Sequence, residues 1–389
     1  MIVRKLRSQV DKALDRGKSI LLLGPRQVGK TTMIKTFSSD IYLNFMRTDV
    51  RQAYENNPAL LIGEVEALKI KNKIPLVIID EVQKVPQILD NAQYLIDEKK
   101  AQFILTGSSA RKLKKSKAIN LLPGRLVSLH LDPLMFSEYE RLNKTIEELI
   151  FYGSLPGIML ENDYDAKEQD LKSYAVTYLE EEIRAESLVR NFVGFAKFLR
   201  LAALESGNIV NFTRISQDIG VSHTTISEYY QILEDCMVAE RIEALAKTKT
   251  RRSLVKSAKY LIFDLGVRRL CINEGTKVTD ERKGQLFEQF VGLELIRLLR
   301  INAPLAKLYF WRTLNGLEVD WVVEKENKLI PIEVKWVVNP KPKDIRHLKL
   351  FMSEYDEADI AYVICRSARK IKLADNIFAL PWQELGEIL

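Results

Sequence analysis

The chain has 389 residues, too many for one ordinary core, and at about 150 residues per domain it implies two or three domains. Its 47% hydrophobic and 29% charged residues exclude a disordered chain. Its apolar runs stop short of the ~18 residues of a membrane span, so no membrane partner is expected. Fifty-nine Lys+Arg against 52 Asp+Glu leave a net charge of +7, which permits a nucleic-acid partner without requiring one.

The first segment, "MIVRKLRSQVDKALDRGKSI", is too charged for the core of a signal peptide. Cys236, Cys271 and Cys365 lie far apart with no CxxC. With only three histidines in the chain, they argue against a zinc site and for reduced thiols in a cytoplasmic protein.

Ile20–Leu23 is an apolar run that predicts a buried strand, and "TTMIKTF" after it predicts a helix. Between them stand Gly24, Pro25, Arg26, Gln27, Val28, Gly29, Lys30 and Thr31, followed by Thr32, in the pattern G-x-x-x-x-G-K-[ST]. Such a loop turns backbone N–H groups onto phosphates. Lys30 then reaches the β- and γ-phosphates, and Thr31 places its hydroxyl on Mg²⁺. A second buried strand, Leu76–Ile79, ends in Asp80 and Glu81. At the tip of a parallel strand beside the loop, Asp80 is placed to hold Mg²⁺ through water, and Glu81 to orient or deprotonate an attacking water. A third strand, "QFILTGSSARKL", ends in polar residues Thr106 to Ser109, and Thr106 is a candidate sensor of the γ-phosphate.

These residues resemble the AAA+ ATPases, with "GPRQVGKT" as Walker A, "VIIDE" as Walker B and "ILTGSS" as the first sensor. The resemblance implies ATP with Mg²⁺ as cofactors and hydrolysis through Glu81 with Lys30. No NKxD guanine-reading motif is present, which favours ATP over GTP. "LLPGR" then offers Arg125 to a γ-phosphate in cis or from a neighbouring subunit. Its other reading is a surface arginine in a loop that already carries Arg111, Lys112, Lys114, Lys115 and Lys117.

From Asp132 to about Ser206 the pattern is helical, with apolar residues such as Val176, Leu179, Ile183, Phe195, Phe198, Leu199 and Ala202 at three- and four-residue steps. It reads as a helical lid, and the Glu180–Glu182 run as a solvated face. Next, Ile215 and Ile219 mark a short helix, Gly220 breaks it, and Ser222 caps a second helix with core positions Ile226, Tyr230 and Leu233. Two β-like segments, "VAERIEAL" and "AKYLIFD", follow, and the whole resembles a winged helix. Glu228, Glu234 and Asp235 on the second helix oppose phosphate, whereas His223, Thr224 and Thr225 are neutral enough to face bases. Lys247, Lys249, Arg251, Arg252, Lys256 and Lys259 between the two segments make a basic wing that would grip a DNA backbone. The competing reading is a module for protein contacts.

The C-terminal part places Glu288 on a helix, Asp320 at the end of "GLEVD", and Glu333 and Lys335 on one face of the strand "LIPIEVKW". Asp320 and Glu333 could share Mg²⁺, with Lys335 orienting water or stabilising a pentavalent phosphate. This order resembles the PD-(D/E)xK nucleases, in which Glu288 would be the helix acid and a further Mg²⁺ ligand. No proline precedes Asp320. The alternative is a nuclease-like scaffold in which Glu333 and Lys335 are simply ion-paired.

Over its whole length the chain resembles a prokaryotic group of AAA+ ATPases with a winged-helix and PD-(D/E)xK-like C-terminal region of uncharacterised function. The implied fold is α/β: a P-loop AAA+ core with a parallel sheet (1–140), a helical lid or linker (141–206), a winged helix-turn-helix (207–270) and a restriction-endonuclease-like α/β domain (271–389). Three functional readings stand. The first is an Mg²⁺-ATPase coupling nucleotide state to a DNA-binding or nuclease-like tail. The second is an ATP-gated DNA endonuclease, and the third a non-cleaving switch acting on protein partners. The oligomeric state is left open.

Overall fold

Three apolar runs, Ser19–Leu23 (β1), Leu76–Asp80 (β3) and Gln102–Gly107 (β4), are too uniformly hydrophobic to face water on either side. Such runs are stable only inside a sheet covered on both faces, which in practice means a parallel one. The computed structural model bears this out. It describes residues 2–68, 73–109, 124–175, 192–245, 254–255 and 257–389. The expected features at Arg111, Lys112, Lys114, Lys115 and Lys117, at Val176, Leu179, Glu180–Glu182 and Ile183, and at Lys247, Lys249, Arg251, Arg252 and Lys256 lie outside those residues.

Two compact units are present, Met1–Leu134 with Asp235–Val238, and Met135–Glu234 with Ala239–Leu389. The first carries a five-stranded sheet in the order β2-β3-β4-β1-β5, where β2 is Ile41–Asn44 and β5 is Leu126–His130. Every neighbouring pair is parallel, so the carboxyl ends line up: Leu23 of β1 lies level with Gly107 of β4 and His130 of β5. Helix α1 (Arg7–Asp15) precedes β1, and α2 (Lys30–Ile34) follows its loop. Helices α3 (Thr48–Asn56), α4 (Leu60–Ala67) and α5 (Ile88–Asp97) join the remaining strands. Helix α5 buries Ile88, Leu89, Ala92 and Leu95, one helical stripe, in the core with Val77, Ile79, Phe103 and Leu105. Each of the larger side chains among these contributes about 1.5–3 kcal/mol by burial.

The second unit opens with helices where a lid was expected: α6 (Phe136–Tyr139), α7 (Ile146–Tyr152), α8 (Pro156–Leu160), α9 (Tyr164–Ser173) and α10 (Phe192–Leu204). Phe195, Phe198, Leu199 and Ala202 are buried, as their spacing predicts. The helix pair follows as α11 (Phe212–Ile219) and α12 (His223–Asp235). Gly220 between them is left-handed, with φ of 80°, and the Thr225 amide donates to Ser222 Oγ at 3.0 Å as the cap. Tyr229 and Tyr230 of α12 stack among Phe195, Phe198, Phe212 and Tyr260, with Tyr230 and Tyr260 rings 4.2 Å apart.

Strands β6 (Ala239–Ala244) and β7 (Lys259–Ile262) come next in the chain. After them come helices α13 (Leu265–Cys271) and α14 (Asp280–Asn302), strands β8 (Lys307–Arg312), β9 (Glu318–Lys325) and β10 (Lys328–Val334), and helix α15 (Arg346–Glu354). Strands β11 (Ala361–Cys365), β12 (Ile371–Ala374) and β13 (Ile377–Pro381) complete one eight-stranded mixed sheet, in the order β12-β13-β11-β10-β9-β8-β6-β7. The antiparallel pair read as a wing, β6 and β7, is thus an edge of this sheet, with β6 running parallel to β8. Trp311, Val322, Leu348, Phe351 and Val363 fill the core on the α15 side.

Candidate functional site

The loop after β1 emerges at the carboxyl edge of the parallel sheet, where α/β proteins collect ligands. A Cβ on Gly24 would lie 2.3 Å from the Leu131 carbonyl oxygen, so the chain passes there only as glycine. Gln27 and Gly29 adopt left-handed φ values of 60° and 95°, which curl the loop into the shape that points amides inward. Lys30 is buried, and its ammonium donates to the Gly24 and Pro25 carbonyls at 2.7 and 2.8 Å. Arg4, a residue with no motif around it, ties the loop to the end of β5 by donating to the Val28 and Asp132 carbonyls at 2.5 and 2.6 Å.

Asp80 is 1% exposed and sits at the centre of three hydroxyls. Thr31 Oγ1 donates to its Oδ2 at 2.7 Å, Thr106 Oγ1 to its Oδ1 at 2.5 Å, and Tyr42 Oη to its Oδ2 at 3.3 Å. Burial, then the Asp80 charge, pushes the Tyr42 phenol up to about 12, so it stays a donor. The Thr106 hydroxyl also accepts the Glu81 amide at 3.0 Å, which ties the two neighbouring strand ends together. Glu81 itself is left-handed, with φ of 61°. Its Oε2 accepts Gln83 Nε2 at 2.5 Å and Ser108 Oγ at 3.3 Å. Of the residues expected from the sequence, Thr31, Asp80, Glu81 and Thr106 are joined by these hydrogen bonds, and Lys30 stands next to Thr31 in the chain. The sequence reading missed Tyr42, Gln83, Ser108 and Arg4. A hydroxyl and a carboxylate facing each other across Thr31 and Asp80, beside a lysine, are the donor set that suits Mg²⁺ carried with a nucleotide.

Arg125 stands elsewhere. It precedes β5, whose Leu126 is level with Ser19 at the start of β1, so a whole strand length separates it from the loop after Leu23. Its Nε donates to Asp97 at 2.5 Å at the end of α5. That pairing lowers the Asp97 carboxyl and raises the Arg125 guanidinium. The structure therefore does not bring Arg125 to the Lys30 site of its own chain.

In the second unit, Glu288, Asp320, Glu333 and Lys335 come together from α14, β9, β10 and the residue after β10. Asp320 Oδ2 accepts the Val334 amide at 2.7 Å, and Lys335 Nζ donates to Glu333 Oε1 at 2.6 Å. A fifth member is Lys259, and here the sequence reading needs correction. Lys259 is no wing residue in solvent: it is 7% exposed, and its Nζ donates to Glu288 Oε1 at 2.9 Å. It lies over the Phe310 and Trp321 rings, 5.2 and 5.1 Å from their centroids. Burial, with Asp320 adding to it, pushes the Glu333 carboxyl well up, against Lys335. Burial likewise raises Asp320 against Lys335 and Lys259, and Glu288 against Lys259. Lys335 is raised in spite of its burial, because Asp320 and Glu333 favour its charge.

Residues 16–140 match a family described as an AAA domain, whereas 143–277 and 283–385 match two families described as domains of unknown function. An uncharacterized protein of Mycobacterium tuberculosis is 22% identical across 98% of this chain and 84% of its own length. One from Methanocaldococcus jannaschii is 26% identical across 85% of this chain and 77% of its own. Among solved structures, Cdc6p from Pyrobaculum aerophilum has 12% identity, covers 69% of this chain and 92% of that one, and has a TM-score of 0.28. The Bacillus subtilis DNA clamp loader delta protein has 11% identity, coverage of 59% and 87%, and the same score of 0.28. No helix among the described residues is long and apolar enough to cross a membrane. The AAA-domain match falls on the parallel sheet and its glycine-bracketed loop, and it marks residues 16–140 as an AAA-type domain.

Proposed function

We propose that the protein is an Mg²⁺-dependent ATPase that couples its nucleotide state to DNA held by the second unit. The observation that carries the ATPase part is Asp80, fixed by Thr31 and Thr106 with Glu81 tied to the same Thr106. Lys30 would leave the loop carbonyls for the β- and γ-phosphates. Thr31 and Asp80 would hold Mg²⁺, which supplies charge neutralisation at the phosphates. Glu81, once clear of Gln83 and Ser108, would align the attacking water and take its proton. The DNA part is supported by the start of α12 and its cap, where Ser222, His223, Thr224, Ser227 and Gln231 are exposed beside Glu228, while Glu234 and Asp235 are half-buried at the far end of the helix. ATP hydrolysis measured with and without duplex DNA tests the coupling. Several-fold stimulation is expected; turnover indifferent to DNA would favour the non-cleaving switch that acts through protein partners.

A second reading, an ATP-gated endonuclease, draws on Glu333, whose Oε2 is buried without a hydrogen-bond partner. Mn²⁺- or Mg²⁺-dependent DNA cutting that disappears in Lys335→Ala would support it. The absence of cutting would leave the cluster as a scaffold.

A further inference from the structure

Three acids and two lysines meet in the C-terminal cluster, and their partners divide unevenly. Glu288 Oε1 is taken by the Lys259 ammonium, and Glu333 Oε1 by the Lys335 ammonium. Asp320 keeps a backbone amide on Oδ2, and Glu333 Oε2 is an orphan on a side chain 5% exposed. Lys259 is the more deeply buried lysine, and it is held from above by two aromatic faces that favour a cation. It comes from the edge strand β7, outside the helix-acid, strand-acid and E-x-K pattern that marks the cluster in sequence.

We propose that Lys259 is a resident cation of this cluster, occupying Glu288 so that only Asp320 and Glu333 remain as ligands for one divalent ion. The inference rests on reading the cluster as a cation site. With all five groups charged, three negative and two positive charges leave a single negative charge. Removing the Lys259 charge restores a second one and frees Glu288 from its ion pair. A unit charge a few ångströms from a divalent ion changes its affinity strongly even at a protein-like dielectric.

The experiment is Mn²⁺ binding by calorimetry and electron paramagnetic resonance on the full chain without nucleotide. All proteins carry Asp80→Asn to silence the N-terminal unit. Lys259→Gln is expected to bind Mn²⁺ at least about tenfold more tightly than its parent. Asp320→Asn is expected to abolish binding in both backgrounds. Lys259→Gln/Glu288→Gln, a neutral isosteric pair that keeps the site packed if the single variant unfolds, is expected to stay within about threefold of the parent. Equal or weaker binding by folded Lys259→Gln, or more than about tenfold loss in the paired variant, would overturn the role of Lys259 while leaving a cation site. No Mn²⁺ binding in any of these proteins would overturn the cation-site reading itself, and the inference with it.

Discussion

The two units each place carboxylates beside a lysine at the edge of a sheet, yet they satisfy those carboxylates differently. Asp80 is held by three hydroxyls, from Thr31, Thr106 and Tyr42, while Lys30 rests on backbone carbonyls. Hydroxyl donors fix a carboxylate without cancelling its charge, so Asp80 stays available to a cation. Glu288 and Glu333 are instead each bound at one oxygen by an ammonium group, from Lys259 and Lys335, which offsets their charge in place, and Glu333 keeps its second oxygen. A motif names the acids in both units; the chemical type of their partners decides what those acids can still do.

Breaking the N-terminal arrangement at its lysine has the largest expected effect. Lys30→Ala should cut ATP turnover by about 10²–10³, the usual loss when a preorganised donor to a reacting oxyanion is removed. A phosphate-release assay reads it directly.

Glu294 of α14 extends the comparison to a carboxylate buried with too few partners. It accepts the Phe136 amide at 2.5 Å, and the Arg297 guanidinium stands 3.5 Å away. Burial outweighs both and pushes its carboxyl up to about 7 from an ordinary 4.5. The folded state therefore favours the protonated form. The stability from that proton is full below pH 4.5 and lost as the pH rises through about 7, roughly 3 kcal/mol in all. Glu294→Gln does not titrate. Its unfolding free energy, relative to the wild type, should rise by about that amount between pH 4.5 and pH 8. Parallel pH profiles for the two proteins would remove this account.

Thr106→Val sharpens the hydroxyl side. It strips a donor from Asp80 and the acceptor of the Glu81 amide, both buried, at a cost of about 1–3 kcal/mol. Denaturant titration should show that loss, together with a fall in turnover. Arg125→Ala should do least: paired with Asp97 at the far end of β5, it should leave turnover of the isolated chain within about twofold. A large loss confined to concentrations at which chains associate would point to action on a neighbouring subunit.

Much of the N-terminal unit was legible because its signals are local. An apolar strand, a glycine-bracketed loop and a Lys-Thr pair are contiguous, and Asp80-Glu81 ends the next buried run. Tyr42 and Arg4 were not legible, because each reaches the site through the fold from a segment with no pattern of its own; Gln83 and Ser108 lie inside the recognised segments, but their contacts with Glu81 depend on the fold. The C-terminal cluster shows the same limit more sharply. Glu288, Asp320, Glu333 and Lys335 follow a known order and do meet. Lys259 sits in sequence among a run of basic residues, and local charge alone reads it as solvated. Only the pairing of β7 at the edge of the eight-stranded sheet carries it into the acids.

The most direct test of the ATPase assignment is Glu81→Gln, with Mg²⁺-ATP binding and hydrolysis measured on the same preparation. The carboxamide keeps the shape that Gln83 and Ser108 hold but cannot take a proton. Binding near the wild-type affinity with turnover reduced about 10²–10⁴-fold is expected. Hydrolysis at the wild-type rate would contradict the assignment of Glu81 and, with it, the account of how this site works.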